Sequence, residues 1–116
     1  MRFHFFLVIG LAAVGLMPNA ADAEGFYDGN ALYTDCKTDL SVCTGYVSGV
    51  ADTMLLIQDS GFAAKKQCLI AFEPGTNNEQ LKDVAVNFLR DHPEQRQRPA
   101  SALVWNALIT AFKCKK

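Results

Sequence analysis

Histidine is scarce in this sequence, and its scarcity limits the chemistry that the chain can perform. The chain has two histidines, and only His92 lies beyond the first four residues. Nucleophilic catalysis needs a serine or cysteine beside a base, and His92, directly before Pro93, is better explained as a helix-end residue. No distinctive carboxylate pair, phosphate-cradling glycine loop or calcium-loop spacing is present either. The sequence therefore predicts a protein that is not an enzyme and that needs no cofactor.

An excess of charge of either sign is also lacking. The chain has 11 lysines and arginines against 12 acidic residues, a formal net charge of -1, and no basic stripe that would indicate nucleic-acid binding. There is no Cys-x-x-Cys pair, and His92 is far from every cysteine, so no zinc site is expected. No stretch alternates between apolar and polar residues with the period of a strand. These absences together favour an all-helical domain without nucleic acid or metal.

The N-terminus has the features of a secretory signal peptide. Met1–His4 carries one positive charge, Phe5–Met17 is apolar, and Ala21–Ala23 offers small residues at the positions that a signal peptidase reads. The apolar run is shorter than the about 20 residues that span a bilayer, and we expect no later segment to be long enough either. We therefore expect residues 1–23 to be removed, and residues 24–116 to form one soluble domain without membrane contact.

All four cysteines lie in this mature part, which predicts disulfides. An even number of cysteines in a small exported chain is typical of paired thiols in an oxidising compartment. Three connectivities exist, and we favour Cys36 with Cys43, close in sequence across a turn, and Cys68 with Cys114, which ties the middle of the chain to its end. On the chain-entropy account, closing the second, longer loop stabilises the fold by about 4 kcal/mol.

The segment Leu40–Ser60 is predicted to be the central helix of a small bundle. It contains an apolar stripe about 100° wide, made of Cys43, Tyr46, Val47, Val50, Met54 and Ile57. The opposite side is not polar, because Gly45, Gly49 and Leu56 lie there, so we expect the helix to be covered from two directions. The two glycines, four residues apart, favour a close approach of another backbone, either within the chain or at a subunit interface. Asp52, if buried, needs a hydrogen-bonding partner.

Short polar residues mark the beginnings of the first two helices. A first helix is predicted around Ala31–Cys36, with either Asp28 or Asn30 as its N-cap. A turn follows, after which either Asp39 or Ser41 is expected to cap the central helix. The first disulfide would then bridge these two helices near the turn.

The segment after the central helix is the least determined by the sequence. Gly61 is a plausible stop signal for that helix. The apolar run Cys68–Phe72 is either a short extended segment or the end of a helix, and Pro74-Gly75 then breaks it. We leave these two alternatives open.

Two further helices complete the predicted fold. Thr76 and Glu79 have the spacing of a capping box, and the helix that follows should end near His92, because Pro93 disfavours helical geometry in the residue before it. A fourth helix begins at or beside Pro99. The apolar faces are Leu81, Val84, Ala85, Phe88 and Leu89 in the third helix, and Ala100, Leu103, Val104, Ala107, Leu108, Ala111 and Phe112 in the fourth, with Trp105 at its edge. The prediction is a small four-helix bundle-like domain with two disulfides.

Several segments carry a resemblance to a known family. They are Phe26-x-x-Gly29-Asn30-x-Leu32, Cys43-Thr44-Gly45-Tyr46-Val47-x-Gly49-Val50-x-Asp52, Phe88-Leu89-x-x-His92-Pro93-Glu94-x-Arg96 and Pro99-Ala100-Ser101-x-Leu103-Val104, with Cys68 and Cys114. With these segments in this order, the chain resembles the Rap/Tai-type immunity proteins, small periplasmic proteins that neutralise peptidoglycan amidases delivered by type VI secretion. The resemblance covers nearly all of residues 24–116.

The resemblance implies an all-helical fold, often a homodimer, whose surface covers the active-site cleft of an amidase. Such inhibition needs a complementary surface and no catalysis. The chain departs from the family at two places. After Cys68 the family proceeds at once to a proline and a glycine, whereas Leu69–Glu73 intervenes here, and Lys113 stands where the family has a proline before Cys114. The shared residues are mostly core, cap and cysteine positions, so they indicate the fold more strongly than any particular toxin.

For the partner surface we predict the outer face of the third helix and the polar link that follows it. Polar loops on rigid scaffolds commonly carry recognition. The predicted partner-binding residues are Lys82, Asp83, Asn87, Arg90, Glu94, Arg96 and Arg98.

Three functional hypotheses follow. The first is a periplasmic immunity protein that binds an amidase toxin. The second is a general periplasmic binding or acid-stress chaperone-like module without a cognate toxin, which would bind many partners in a pH-dependent way. The third, an enzyme, would lose its activity when His92 or an acidic residue is replaced.

Overall fold

The computed structural model describes residues 25–60 and 67–116, and these residues form four α-helices. The helices are α1 (Gly29–Thr38), α2 (Leu40–Ser60), α3 (Asn78–Asp91) and α4 (Ala100–Ala111), and Pro93–Gln95 forms a 3₁₀ turn between α3 and α4. No β-strand occurs in the described ranges, so the predicted all-helical, four-helix fold is confirmed. The predicted signal peptide and Gly61, the predicted end of the central helix, lie outside the described residues.

The core lies between α2 and the other three helices. Its fully buried large side chains come from all four helices and from the segment before α3, and include Leu32, Val47, Met54, Ile70, Leu89, Leu103 and Leu108. The buried stripe of α2 is Cys43, Val47, Ala51 and Met54. The predicted stripe is therefore slightly rotated: Ala51 belongs to its centre, whereas the larger Tyr46, Val50 and Ile57 are half-buried at its edges.

The opposite side of α2 is uncovered in the described structure. Leu56 retains 61% of its accessible surface and Val42 46%, and Gly45 and Gly49 are also exposed. Cover of α2 from two directions is therefore not found within the described chain, because α1, α3 and α4 all pack toward its other face. Asp52 is exposed as well, so it needs no buried partner.

By length and composition alone, α2 is long and apolar enough to cross a membrane. The expectation that no segment after the N-terminal run has that length is therefore wrong. Within the described chain, however, Val47 and Met54 of α2 are buried in the common core, and Cys43 is bonded to Cys36 on α1. These contacts are those of the central helix of a bundle.

The caps of the first two helices are among those that the sequence proposed. The side chain of Asp28 accepts a hydrogen bond from the Ala31 amide at the start of α1, 2.8 Å away. Asp39 accepts from the amides of Ser41 and Val42 at the start of α2. The Ser41 hydroxyl also donates to Asp39 at 2.6 Å, and this bond lowers the pKa of the Asp39 carboxyl.

The capping box of α3 lies one residue later than predicted. Asn77 accepts from the Gln80 amide, and the Gln80 side chain accepts from the Asn77 amide, both at 3.0 Å. The predicted pair of Thr76 and Glu79 is wrong because the Thr76 amide and hydroxyl both donate to the Glu73 carbonyl. That bond closes a turn in which Gly75 takes a positive φ of 88°, so Thr76 belongs to the turn.

Both predicted disulfides are confirmed. Cys36 pairs with Cys43 and Cys68 with Cys114, with Cα atoms 4.7 and 6.0 Å apart. The segment Cys68–Phe72 is not helical, which excludes one of the two alternatives left open for it. The Gln58 side chain accepts from two amides of this segment, and the Ala71 amide donates to the Phe112 carbonyl at 3.0 Å. The segment therefore joins the end of α2 to the end of α4.

Candidate functional site

The predicted partner-binding residues fall into two groups in the structure. Lys82, Asp83, Asn87 and Arg90 lie on α3, whereas Glu94, Arg96 and Arg98 lie on residues 93–99, which we call the recognition loop. The charged side chains of the α3 group bond mainly to other side chains of α3. Lys82 pairs with Glu79 at 2.6 Å, and this bond raises the pKa of Lys82. Arg90 donates to Asn87 and pairs with Asp91, which raises its pKa.

The backbone of the recognition loop is held by the first turn of α1. The Gly29 amide donates to the Arg98 carbonyl at 3.0 Å, and the Asn30 amide donates to the Arg96 carbonyl at 2.9 Å. These amides belong to the helix start, where donors lack partners within the helix. On the other side of the loop, the Ala100 amide donates to the Tyr27 carbonyl at 2.9 Å. The recognition loop is therefore a rigid part of the fold.

Gly29 permits this contact because it has no side chain. A Cβ atom at position 29 would lie 2.8 Å from the Arg96 carbonyl oxygen and would also collide with Leu103. Backbone atoms of the loop cannot give way as a flexible side chain can, so α1 approaches the loop this closely only with glycine there.

Two cations approach the ring of Tyr33 beside the recognition loop. Lys37 Nζ lies 3.9 Å and Arg96 Cζ 4.1 Å from the ring centroid, distances typical of cation–π attraction. Arg96 also donates from Nε to the Leu89 carbonyl at 2.7 Å. Neither cation joins an ion pair among the described residues. We call Tyr33, Lys37 and Arg96 the Tyr33 cluster.

The sequence analysis missed most of the Tyr33 cluster. Only Arg96 was among the predicted residues. Tyr33 and Lys37 are four residues apart on the predicted first helix, a spacing that places them on one face, so this signal was available in the sequence. The approach of Arg96 was not, because it comes from a distant part of the chain.

An apolar groove of about 690 Å³ runs between α2 and α4. Its α2 side includes Gly45, Gly49 and Thr53, and its α4 side includes Ala102, Trp105 and Asn106. Arg98 of the recognition loop also lines it, although its guanidinium bonds only to Gln95 in the described chain, at 3.4 Å. We call this feature the α2–α4 groove.

Two tyrosine rings lie against each other near the start of the domain, and one of them, Tyr46, lines the groove. The rings of Tyr27 and Tyr46 lie 5.2 Å apart, centroid to centroid. The Tyr27 hydroxyl donates to the Asp35 carboxylate, and burial together with this bond raises the pKa of Tyr27 to about 12. Burial also raises the pKa of Tyr46, against the opposing effect of Ser101. These contacts attach the chain segment before α1 to α1 and α2.

His92 occupies the position that the sequence predicted for it. Its Nδ1 lies 2.8 Å from the Phe88 carbonyl oxygen, and its ring stacks on Phe88 with centroids 4.2 Å apart. It is also the C-cap of α3. The imidazole is thus part of the helix end that leads into the recognition loop.

Comparison with known proteins gives one family match. A family model described as Rap1a immunity proteins matches residues 28–114. No curated protein and no solved structure matches the chain. The matched range begins at the N-cap of α1 and ends at Cys114, so it includes all four helices, both disulfides and the recognition loop.

Proposed function

Because this chain belongs to the Rap1a immunity proteins, we propose that it protects cells by binding and inhibiting a peptidoglycan amidase delivered by type VI secretion. Family membership assigns an immunity protein directed against a toxin. The amidase as the target is our inference from the sequence resemblance. The observation that carries the proposal is that the family match includes a recognition loop whose backbone is held rigidly by α1.

We propose the periplasm as the place of this binding. The sequence begins with the features of a signal peptide. The domain also contains two disulfides, which persist in oxidising compartments. A peptidoglycan amidase acts in the same compartment, so inhibitor and toxin would meet there.

The Tyr33 cluster and the recognition loop form the surface that we assign to the toxin. Tyrosine and arginine are enriched among the residues that dominate binding energies at interfaces. Lys37 and Arg96 have no carboxylate partner in the described chain, so an acidic toxin surface would complement them. On the outer face of α3, by contrast, Lys82 and Arg90 already pair with carboxylates. Inhibition would result from covering the toxin, with no reaction by this chain.

The test uses the oxidised domain, residues 24–116, with purified candidate type VI amidases. We expect one amidase to bind stoichiometrically and to stop hydrolysing peptidoglycan. Lys37→Glu should weaken this binding by about tenfold, the loss expected at an important contact. Lys113→Glu makes the same charge change at an exposed residue after α4 and should leave the affinity unchanged. Inhibition of none of the amidases would contradict the proposal.

A second candidate is the general periplasmic binding or acid-stress module. The exposed apolar side of α2 favours this function. Val42 and Leu56 offer an apolar surface that could bind other proteins in the absence of a cognate toxin. This function predicts weak binding of many unfolded proteins, with an affinity that depends on pH. Strong binding of one amidase and none of unfolded proteins would exclude it.

The resemblance also implies a homodimer, and we include this state in the proposal. Nothing in the toxin assay depends on it.

A further inference from the structure

The two disulfides of the domain differ in how far solvent reaches them. Cys36 retains 6% and Cys43 0% of its accessible surface, and both belong to the hydrophobic core. Cys68, by contrast, is exposed, and Cys114 is half-buried. Thiol–disulfide exchange requires that a thiolate reach a sulfur atom of the bond. Of the two bonds, Cys68–Cys114 is therefore the one that a thiol in solution can reach while the domain is folded.

The exposed disulfide lies at the opposite end of α4 from the recognition loop. Cys114 follows α4, whereas Arg98 precedes it, and the 12 residues of the helix separate the two ends by about 18 Å. Cys68 lines a small cleft together with Gln58 and Asp59 of α2. A thiol can therefore approach this bond without touching the surface that we assign to the toxin.

The segment that carries Cys68 is held in place by contacts other than the disulfide. Ile70 is 1% exposed and belongs to the hydrophobic core. The Ala71 amide donates to the Phe112 carbonyl at 3.0 Å, and the rings of Phe72 and Phe112 meet edge to face with centroids 4.9 Å apart. These contacts do not need the disulfide, so opening it should free residues 113–116 and leave the four helices packed.

The surroundings of the two sulfur atoms differ in how well they accommodate a negative charge. Cys68 Sγ lies 3.5 Å from the Ile70 carbonyl oxygen, whose partial negative charge disfavours a thiolate there. Cys114 stands between two lysines, which would stabilise a departing thiolate. Lys115 already pairs with a carboxylate at 3.5 Å, whereas Lys113 joins no ion pair within the described ranges. Attack should therefore fall on Cys68, with Cys114 as the leaving group.

We propose that Cys68–Cys114 is a thiol-exchange site at which a dithiol oxidoreductase opens the longer loop of the domain. A thiolate of the oxidoreductase bonds to Cys68 Sγ while the bond between the two cysteines breaks, and its electron pair leaves on Cys114. The second thiol of the oxidoreductase then displaces Cys68. The oxidoreductase departs as a disulfide, and Cys68 and Cys114 take up the two protons that it loses. Two electrons thus pass to the domain while Cys36–Cys43 stays closed, and no step depends on the toxin.

The first test follows the four cysteines of the oxidised domain, residues 24–116, during reduction by dithiothreitol. Samples are alkylated at intervals, and peptide mass spectrometry identifies the modified cysteines. We expect Cys68 and Cys114 to be alkylated together, at least about tenfold faster than Cys36 and Cys43, because access controls the rate. The helical circular dichroism signal should persist after the first pair is reduced. Equal rates for the two pairs, earlier reduction of Cys36–Cys43, or loss of the helical signal at that stage would overturn the proposal.

A second test traps the mixed disulfide and identifies the attacked sulfur. A thioredoxin whose resolving cysteine is replaced by serine stays joined to its target after the first step. We expect this adduct on Cys68, and we expect none in a variant that combines Cys68→Ser with Cys114→Ser, whose remaining disulfide is buried. An adduct on Cys114, or an adduct in the double variant, would overturn the proposal.

The lysine beside the leaving sulfur gives the trapping test a matched control. Lys113→Glu should slow formation of the adduct at least about twofold, because it replaces a positive charge next to the departing thiolate by a negative one. Lys116→Glu makes the same charge change farther from Cys114 and should react at the rate of the unchanged protein. Equal rates for the two variants would contradict Cys114 as the leaving group.

Discussion

One side of α2 carries Cys43, Val47 and Met54 into the core, whereas the other presents Val42, Gly45 and Gly49 to the outside. Both sides are apolar, and they differ in side-chain size. The inner side has bulky residues that fill the space between helices. The outer side combines small and large residues around a groove that no other part of the described chain fills. Apolar composition alone therefore does not separate the buried side of α2 from the exposed side, whereas the glycines occur only on the exposed side.

The largest predicted difference between the two sides of α2 is in the free energy of unfolding after alanine substitution at Met54 and at Leu56. Met54→Ala should lower the free energy of unfolding by about 2–5 kcal/mol, because it leaves a cavity in the core. Leu56→Ala removes an exposed side chain and should change that free energy by less than about 0.5 kcal/mol. Urea unfolding of both variants, made at a concentration where the protein is monomeric, measures the difference. Equal losses would mean that the outer side is covered in the monomer.

Alanine in place of glycine gives a second, smaller contrast. Gly29→Ala should destabilise the domain by about 1–3 kcal/mol, since the added methyl group overpacks the contact between α1 and the recognition loop. Gly49→Ala should stabilise the monomer by up to about 1 kcal/mol, the difference in helix propensity at an open position. Thermal unfolding of the two variants should therefore shift in opposite directions. A loss of stability in Gly49→Ala would show that its surroundings are closed.

The smallest predicted effect is the pH dependence of stability that Tyr27 contributes. The pKa of Tyr27 is raised from 10.0 to about 12 by burial and by its bond to Asp35. Folding therefore favours the neutral hydroxyl. Its contribution to the free energy of unfolding is fully present below pH 10 and is lost as the pH rises toward 12. In Tyr27→Phe the free energy of unfolding should fall less over this range than in the unchanged protein. Parallel curves for the two proteins would contradict the assignment.

The sequence predicted the parts of the structure that depend on neighbouring residues. The helices, the caps Asp28 and Asp39 and the pairing of Cys36 with Cys43 all follow from spacing within a few positions. The capping box failed by one residue because Thr76 is engaged in a turn with Glu73. The local pattern of the sequence does not show which of two adjacent polar residues the turn takes.

The candidate site was less predictable, because distant segments build it. Arg96 was predicted to bind a partner from its exposure in a polar loop, but its approach to Tyr33 depends on how α1 packs against that loop. Gly45 and Gly49 were predicted to permit close approach of another backbone, either within the chain or at a subunit interface. Packing within the chain is now excluded for the described residues, since a side chain at either position would meet nothing.

The hydrogen bonds between α1 and the recognition loop have a consequence for how the domain is produced and handled. The loop depends on Tyr27, Gly29 and Asn30, which lie only a few residues after the predicted cleavage position at Ala23. Trimming by a peptidase that reached Tyr27 would remove the acceptor of the Ala100 amide and loosen the loop about 70 residues away in sequence. An affinity tag is therefore better placed after Lys116 than before Gly25, and the exact N-terminus of a preparation should be determined by mass spectrometry before its binding is measured.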